Sequence, residues 1–245
     1  MATARSDEGQ TAADDSTDAD DQLTDSSGRG RFRSALLLVV GVSVVLGAGA
    51  AIAVGRDESS ERTWAGTLLG SPQSMPSITL DDTAGDSFDL AEGASGRVTL
   101  LMFGYTSCPD VCPISLATLA SALRGMPPEV SDKVRMVFVG VDPDRDTPER
   151  LREFLDEFDE SFIGLTGQVG ALEAAQREAN VPLASLAPPE PDGSYAVGHA
   201  TQMIAFQGEA ARIVYPFGTR EGDWIRDLPR LVDGELPKHD EAASP

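Results

Sequence analysis

The chain has 245 residues, 41% of them hydrophobic, which suffices for one ordinary globular domain with extensions and is too few for two large ones. Forty acidic residues against 19 basic ones leave a formal net charge of −21, which excludes nucleic-acid backbone binding as the basis of function. The only two cysteines, Cys108 and Cys112, are too few for a disulfide framework and sit close enough to form a site.

Residues 1–33 are rich in Asp, Ser, Thr, Ala and Gly and cannot bury enough surface to offset their ordering entropy, so a disordered tail is expected. Residues 34–54 (SALLLVVGVSVVLGAGAAIAV) carry no charge and have the length that spans a bilayer as one helix. Arg29, Arg31 and Arg33 precede this run and hold that side in the cytoplasm. A single-pass cell-membrane protein follows, with its C-terminal domain outside. A cleavable signal peptide competes, because residues 51–53 (AIA) resemble a cleavage site, but the segment before the apolar run is too long and the run itself exceeds signal length. Residues 55–73 read as a polar linker in which Trp64, Leu68 and Leu69 can pack on the domain, residues 74–233 as the folded domain, and residues 234–245 as a second disordered tail.

Within the domain, residues 77–80 and 87–90 read as short strands about a DDTAGD turn. Residues 98–104 (VTLLMFG) and 134–141 (VRMVFVGV) are continuous apolar runs, as expected for strands buried on both faces. Between them, residues 113–123 read as a helix with Ile114, Leu116, Leu119 and Leu123 as its stripe. Thr147 and Pro148 open another helix, as cap and first position, with Leu151, Phe154, Leu155 and Phe158 facing inward. Residues 162–165 form a strand, residues 169–179 a helix, and the Pro-rich residues 181–195 a loop. Residues 202–206 and 211–215 form a hairpin, and residues 224–231 a closing helix. The order predicts an α/β fold, a mixed sheet flanked by helices.

The segment FGYTSCPDVCP (residues 103–113) leaves a buried strand and opens a helix, where open α/β sheets place their sites. Each cysteine precedes a proline and so avoids the α region, which predicts a loop over 108–112 with Cys112 at the cap and Pro113 first in the helix. A sulfur at a helix N-terminus favours thiolate, the form that binds metal or attacks a disulfide, while Asp110 acts in the opposite sense. Two thiolates and a third ligand suit a soft ion such as Cu(I), whereas structural zinc takes four protein ligands. Of the two histidines, His199, entering the apolar strand of GHATQMIAF, is better placed than His239 in the charged tail; Met203 fits a core position. A plain redox dithiol and a structural histidine remain the alternatives. Asp142 to Thr147 (DPDRDT) offers carboxylates to a metal or to its ligands, but turn chemistry and helix capping account for them.

FGYTSCPDVCP, then VDPDRDTPERL, then a histidine before a strand together resemble the Sco/SenC family of copper-handling proteins of cytochrome oxidase assembly, over residues 66–231. The resemblance implies a thioredoxin-like fold, one membrane anchor and a copper site, for Cu(I) or Cu(II), made by Cys108, Cys112 and His199. It also implies a copper donor and delivery to the binuclear centre of oxidase subunit II. The family often has an Asp immediately before that histidine; Gly198 stands there, so the imidazole lacks one expected partner. The competing function is a thiol–disulfide oxidoreductase that reduces the acceptor's cysteines. Three residues between the cysteines in place of two alter the dithiol without abolishing exchange. His199 discriminates, because copper needs it and exchange does not.

Overall fold

The computed structural model describes residues 63–93 and 97–235. The expected tail over 1–33, the candidate span over 34–54, residues 55–62 of the linker, and residues 236–245 with His239 lie outside the described residues. Among the described residues no helix is long and apolar enough to cross a membrane.

In chain order the elements are β1 (Thr67–Ser74), β2 (Thr79–Asp82), β3 (Ser87–Asp89), α1 (Leu90–Gly93), β4 (Val98–Gly104), α2 (Val111–Arg124), α3 (Pro128–Ser131), β5 (Val134–Gly140), α4 (Pro148–Asp156), β6 (Ile163–Thr166), α5 (Val169–Glu178), β7 (Ser185–Leu186), β8 (Val197–Gly198), β9 (Met203–Gln207), β10 (Ala210–Tyr215) and α6 (Glu221–Val232). Eight strands form one mixed sheet in the order β1-β10-β9-β4-β5-β6-β2-β3. At its centre β4 and β5 run parallel, paired from Val98↔Val134 to Gly104↔Gly140. Every residue of β4 is buried, which is why its sequence is apolar without alternation. β6 adds in parallel to β5, and β9 runs antiparallel on the other side of β4. The β9–β10 hairpin turns through Gly208, whose φ of +62° favours a residue without Cβ.

The helices bury one face each. In α2 that face is Cys112, Leu116, Leu119, Ala120 and Leu123. Ile114, expected on this stripe, is half exposed: it lies two residues, or about 200°, from Leu116 and points away. α4 starts as expected, Thr147 accepting from the Arg150 N–H with Pro148 in the first turn. α6 begins one turn earlier than the apolar pattern, because the Asp223 carboxylate accepts from the Arg220 N–H and closes the first turn.

Two segments differ from the expectation. Residues 67–73, read as linker, belong to β1, an edge strand antiparallel to β10 with a bulge between Leu68 and Gln73. Edge strands bury little, and here the bulge breaks the period-2 pattern that would have marked it. The loop over 181–195 likewise contributes β7, which pairs with β8 in a two-residue ladder. Trp64, just ahead of β1, is fully buried, with the Arg230 guanidinium 3.9 Å from its ring centre. The folded unit therefore starts before residue 74. Replacing Trp64 by Ala is expected to cost about 3–5 kcal/mol in denaturant unfolding; a loss below about 1 kcal/mol, the size of an ordinary surface change, would detach this segment from the domain.

Candidate metal centre

The site forms where β4 ends. Gly104 closes the strand, the chain turns through residues 105–110 with the Cys108 N–H donating to the Tyr105 carbonyl (3.1 Å), and α2 begins at Val111. The cap is Asp110, whose carboxylate accepts from the Val111 N–H, two residues before the expected Cys112. A carboxylate is the better cap, and Pro113 is tolerated in the first turn because its missing N–H would have had no helical partner there. Cys112 consequently lies inside the first turn, with no exposed surface. Its sulfur fills space that only glycine leaves open: a Cβ on Gly104 would stand 2.7 Å from Cys112 Sγ and 2.6 Å from the Phe138 ring.

His199 reaches the same place from the segment between β8 and β9. Its Nε2 lies 3.8 Å from Cys112 Sγ and 4.0 Å from Cys108 Sγ, and the three donor atoms all fall within 4.8 Å of one another. Nδ1 sits 3.0 Å from the Phe103 carbonyl and 2.8 Å from that of Ala200, so Nδ1–H donates there and Nε2 turns its lone pair to the sulfurs. These carbonyls do the orienting for which a carboxylate at position 198 was expected. No sequence signal marks a main-chain partner of this kind. Tyr105 packs edge-on against the imidazole at 5.4 Å. Met203 is in the core, paired with Met102 across β9 and β4.

The two thiols differ in acidity. Cys108 is held down to about 4, chiefly by the hydrogen bond from the Cys112 thiol and in spite of burial. Cys112 is pushed up by that same bond and by burial. The Cys112 N–H, at the start of a helix, also donates to Cys108 Sγ (3.5 Å). In the reduced, metal-free dithiol these shifts favour Cys108 as the thiolate, the form that ligates metal or attacks sulfur.

The DPDRDT segment supports this arrangement and adds no donor to the cluster of three. Asp146 is buried and accepts from the Thr106 N–H and hydroxyl, both at 2.8 Å, and from the Asp142 N–H at 3.1 Å. Burial raises its pKa against these hydrogen bonds. Asp142 pairs with Arg145 and accepts from the Tyr195 hydroxyl (2.9 Å). The Arg145 guanidinium lies 3.6 Å from the Tyr195 ring centre and donates to the Tyr195 carbonyl. Arg145 and Tyr195 were not singled out in the sequence, since neither carries metal chemistry; they pin the chain four residues before His199.

The donor set fits a small thiophilic ion. Bonds of about 2.3 Å to sulfur and about 2.0 Å to nitrogen, arranged in a plane, would separate the sulfurs from the nitrogen by about 3.7 Å. The observed separations come near this without movement of the backbone. The profile of the SCO1/SenC family matches residues 69–232. The chain belongs to the SCO1/SenC family.

A candidate copper-binding protein of Stutzerimonas stutzeri is 30% identical over 177 residues, covering 69% of this chain and 81% of its own. The mitochondrial protein SCO2 of Saccharomyces cerevisiae is 29% identical over 145 residues, 59% of this chain and 46% of that one. Among solved structures, apo Sco1 from Thermus thermophilus superposes with a TM-score of 0.62 at 30% identity, covering 69% of this chain and 97% of its own. Copper-bound ScoI of Bradyrhizobium japonicum gives 0.56 at 31% identity over 66% and 99%. The thioredoxin-like fold expected from the sequence is the fold of these Sco proteins.

Thiolate absorbance at 240 nm should show one thiolate persisting in the metal-free, reduced protein as the pH falls from 8, lost only near pH 4. In Cys112→Ala the transition should move up toward the ordinary thiol range of about 8.5, and an unchanged midpoint would refute stabilisation by the Cys112 thiol. Arg145→Ala should speed amide exchange at residues 195–198 by about tenfold, the size of a lost cation–π contact, with exchange in β4 unaltered.

Proposed function

We propose that this SCO1/SenC protein is a copper carrier for assembly of a respiratory cytochrome oxidase, holding its cargo through Cys108, Cys112 and His199. The observation that carries the reading is the convergence of two sulfurs and an imidazole nitrogen within 4.8 Å, with Nε2 oriented toward them. Two thiolates select a thiophilic ion, and three protein donors suit Cu(I) better than structural zinc, which takes four. A three-donor site also leaves room for an incoming ligand, so cargo can pass by stepwise exchange. Copper-bound structures of Bradyrhizobium japonicum and Arabidopsis thaliana ScoI support the choice of metal.

The rest of the proposal comes from the sequence. Residues 34–54 anchor the chain as a single span, with Arg29, Arg31 and Arg33 on the cytoplasmic side and the folded domain outside. The partners are a copper donor and, as acceptor, oxidase subunit II, itself in the membrane. Nucleic acid is no partner for a chain of this charge.

A second reading is favoured by the Cys108 thiolate: a thiol–disulfide oxidoreductase acting on the cysteines of the oxidase copper site. Cys108 would attack one sulfur of the acceptor disulfide and release the other as thiolate. Cys112, losing its proton, would then attack Cys108, leaving the acceptor reduced by two electrons and the Cys108–Cys112 pair oxidised.

Copper titration of the reduced full-length protein in detergent and high salt distinguishes the two. One copper per chain is expected, with His199→Ala and Cys112→Ala each weakening it by more than the roughly 10–100-fold typical of a partner outside the ligand set. Absence of copper binding, or a His199→Ala protein that binds normally while still reducing a model disulfide, would transfer the assignment to the oxidoreductase.

A further inference from the structure

At the opposite end of the sheet the charge pattern reverses. Among the described residues, Arg145, Arg150, Arg152, Arg177, Arg220, Arg226 and Arg230 each pair with a carboxylate. Arg97, Arg124, Arg135 and Arg212 form none of these pairs, and the first three line one cavity of about 700 Å³. It opens beside the N-terminal ends of β4 and β5, whose first residues are Val98 and Val134. A seven-residue strand at about 3.3 Å per residue puts it roughly 20 Å from the cysteines.

The arginines are fixed from different segments. Arg97 Nη1 donates to the Asp132 carbonyl (2.8 Å) and Arg124 Nη1 to the Phe158 carbonyl (3.0 Å). Each uses one donor of five and keeps its full charge. Arg135, half-buried on β5, has no hydrogen-bond or ion-pair partner among the described residues, and burial together with Arg97 lowers its pKa. A guanidinium is normally paired when desolvated, because its charge is otherwise uncompensated. Two carboxylates also line the cavity. Asp159 is engaged by the Ser161 N–H and hydroxyl, and Asp132 is exposed on the rim. Three cations against two anions leave a positive cavity in a chain of net charge −21. The rest of its lining is mixed, with Ser131 and Ser161 beside apolar side chains such as Leu123, Met136 and Phe162.

We propose that this cavity binds a compact organic polyanion, a small carbon skeleton bearing two or more carboxylate or phosphate groups. The volume is that of a small-molecule pocket, and guanidinium forks match carboxylate and phosphate oxygens in pairs. Arginines spread over three segments require more than one anionic group on the ligand, and the apolar side chains between them suit a short carbon skeleton, with Ser131 and Ser161 able to bond its polar groups. An acidic surface repels anions in general, so the cavity is where one can approach. The site does not depend on copper or on the function assigned above.

Calorimetric titration of the metal-free, reduced full-length protein with citrate and with fructose 1,6-bisphosphate tests this, with sulfate at matched ionic strength as control. Saturable binding of one molecule per chain is expected for at least one of the two, and which one binds tells a carboxylate from a phosphate ligand. Arg135→Gln and Arg97→Gln should each weaken it at least tenfold, while Arg177→Gln, which removes an arginine paired with Glu173, should leave it unchanged. Thermal unfolding of each variant establishes that the fold is retained. The proposal is overturned if neither polyanion binds, if sulfate binds as well, or if Arg177→Gln weakens binding as much as Arg135→Gln.

Discussion

One buried carboxylate ties the site together. β4 and β5 end in register at Gly104 and Gly140, and the loops that leave them carry, respectively, the cysteines and the DPDRDT segment. Asp146 joins the two loops by accepting from Thr106 on one side and from the Asp142 main chain on the other. It fits because Gly140 has no Cβ; one there would stand 2.9 Å from the Asp146 Cβ. Burial disfavours its charge, so the three donors that converge on it are what make an anionic acceptor tenable there. From Asp142 the connection runs on to Arg145 and Tyr195, and so to the stretch that presents His199. Groups some ninety residues apart in sequence are thereby held by one polar network with its origin at a single side chain.

The parts of the fold legible in the sequence are those whose burial is one-sided or complete. β4 and β5 are uninterrupted apolar runs because both faces are covered, and α4 displays its capping chemistry in Thr147 and Pro148. β1 and β7 were illegible for the converse reason. Both are largely exposed and are stabilised by main-chain pairing, which leaves no trace in side-chain pattern. The cap of α2 was misplaced because two prolines suggested a boundary at Cys112, whereas Asp110 offers the stronger local bond.

The site shows the same division. Cys108, Cys112 and His199 were recognisable as residue types able to hold a metal, and the fold brings them together. What sets the histidine's orientation is a pair of main-chain carbonyls, that of its neighbour Ala200 and that of Phe103 in β4. A neutral carbonyl fixes the tautomer as a carboxylate would, without adding a negative charge next to two sulfurs that already carry one between them. The glycine at position 198 is therefore compatible with a well-held imidazole, at a lower local charge than an aspartate would give.

The two sulfurs are unequal in depth as well as in protonation. Cys112 is sealed beneath the first turn of α2, while Cys108 keeps a narrow opening at 7% exposure. Geometry thus grades access to the three donors. His199 is the most open of the three donors, so a species from solvent meets the imidazole and the Cys108 sulfur at the mouth of the site and the Cys112 sulfur only at its floor.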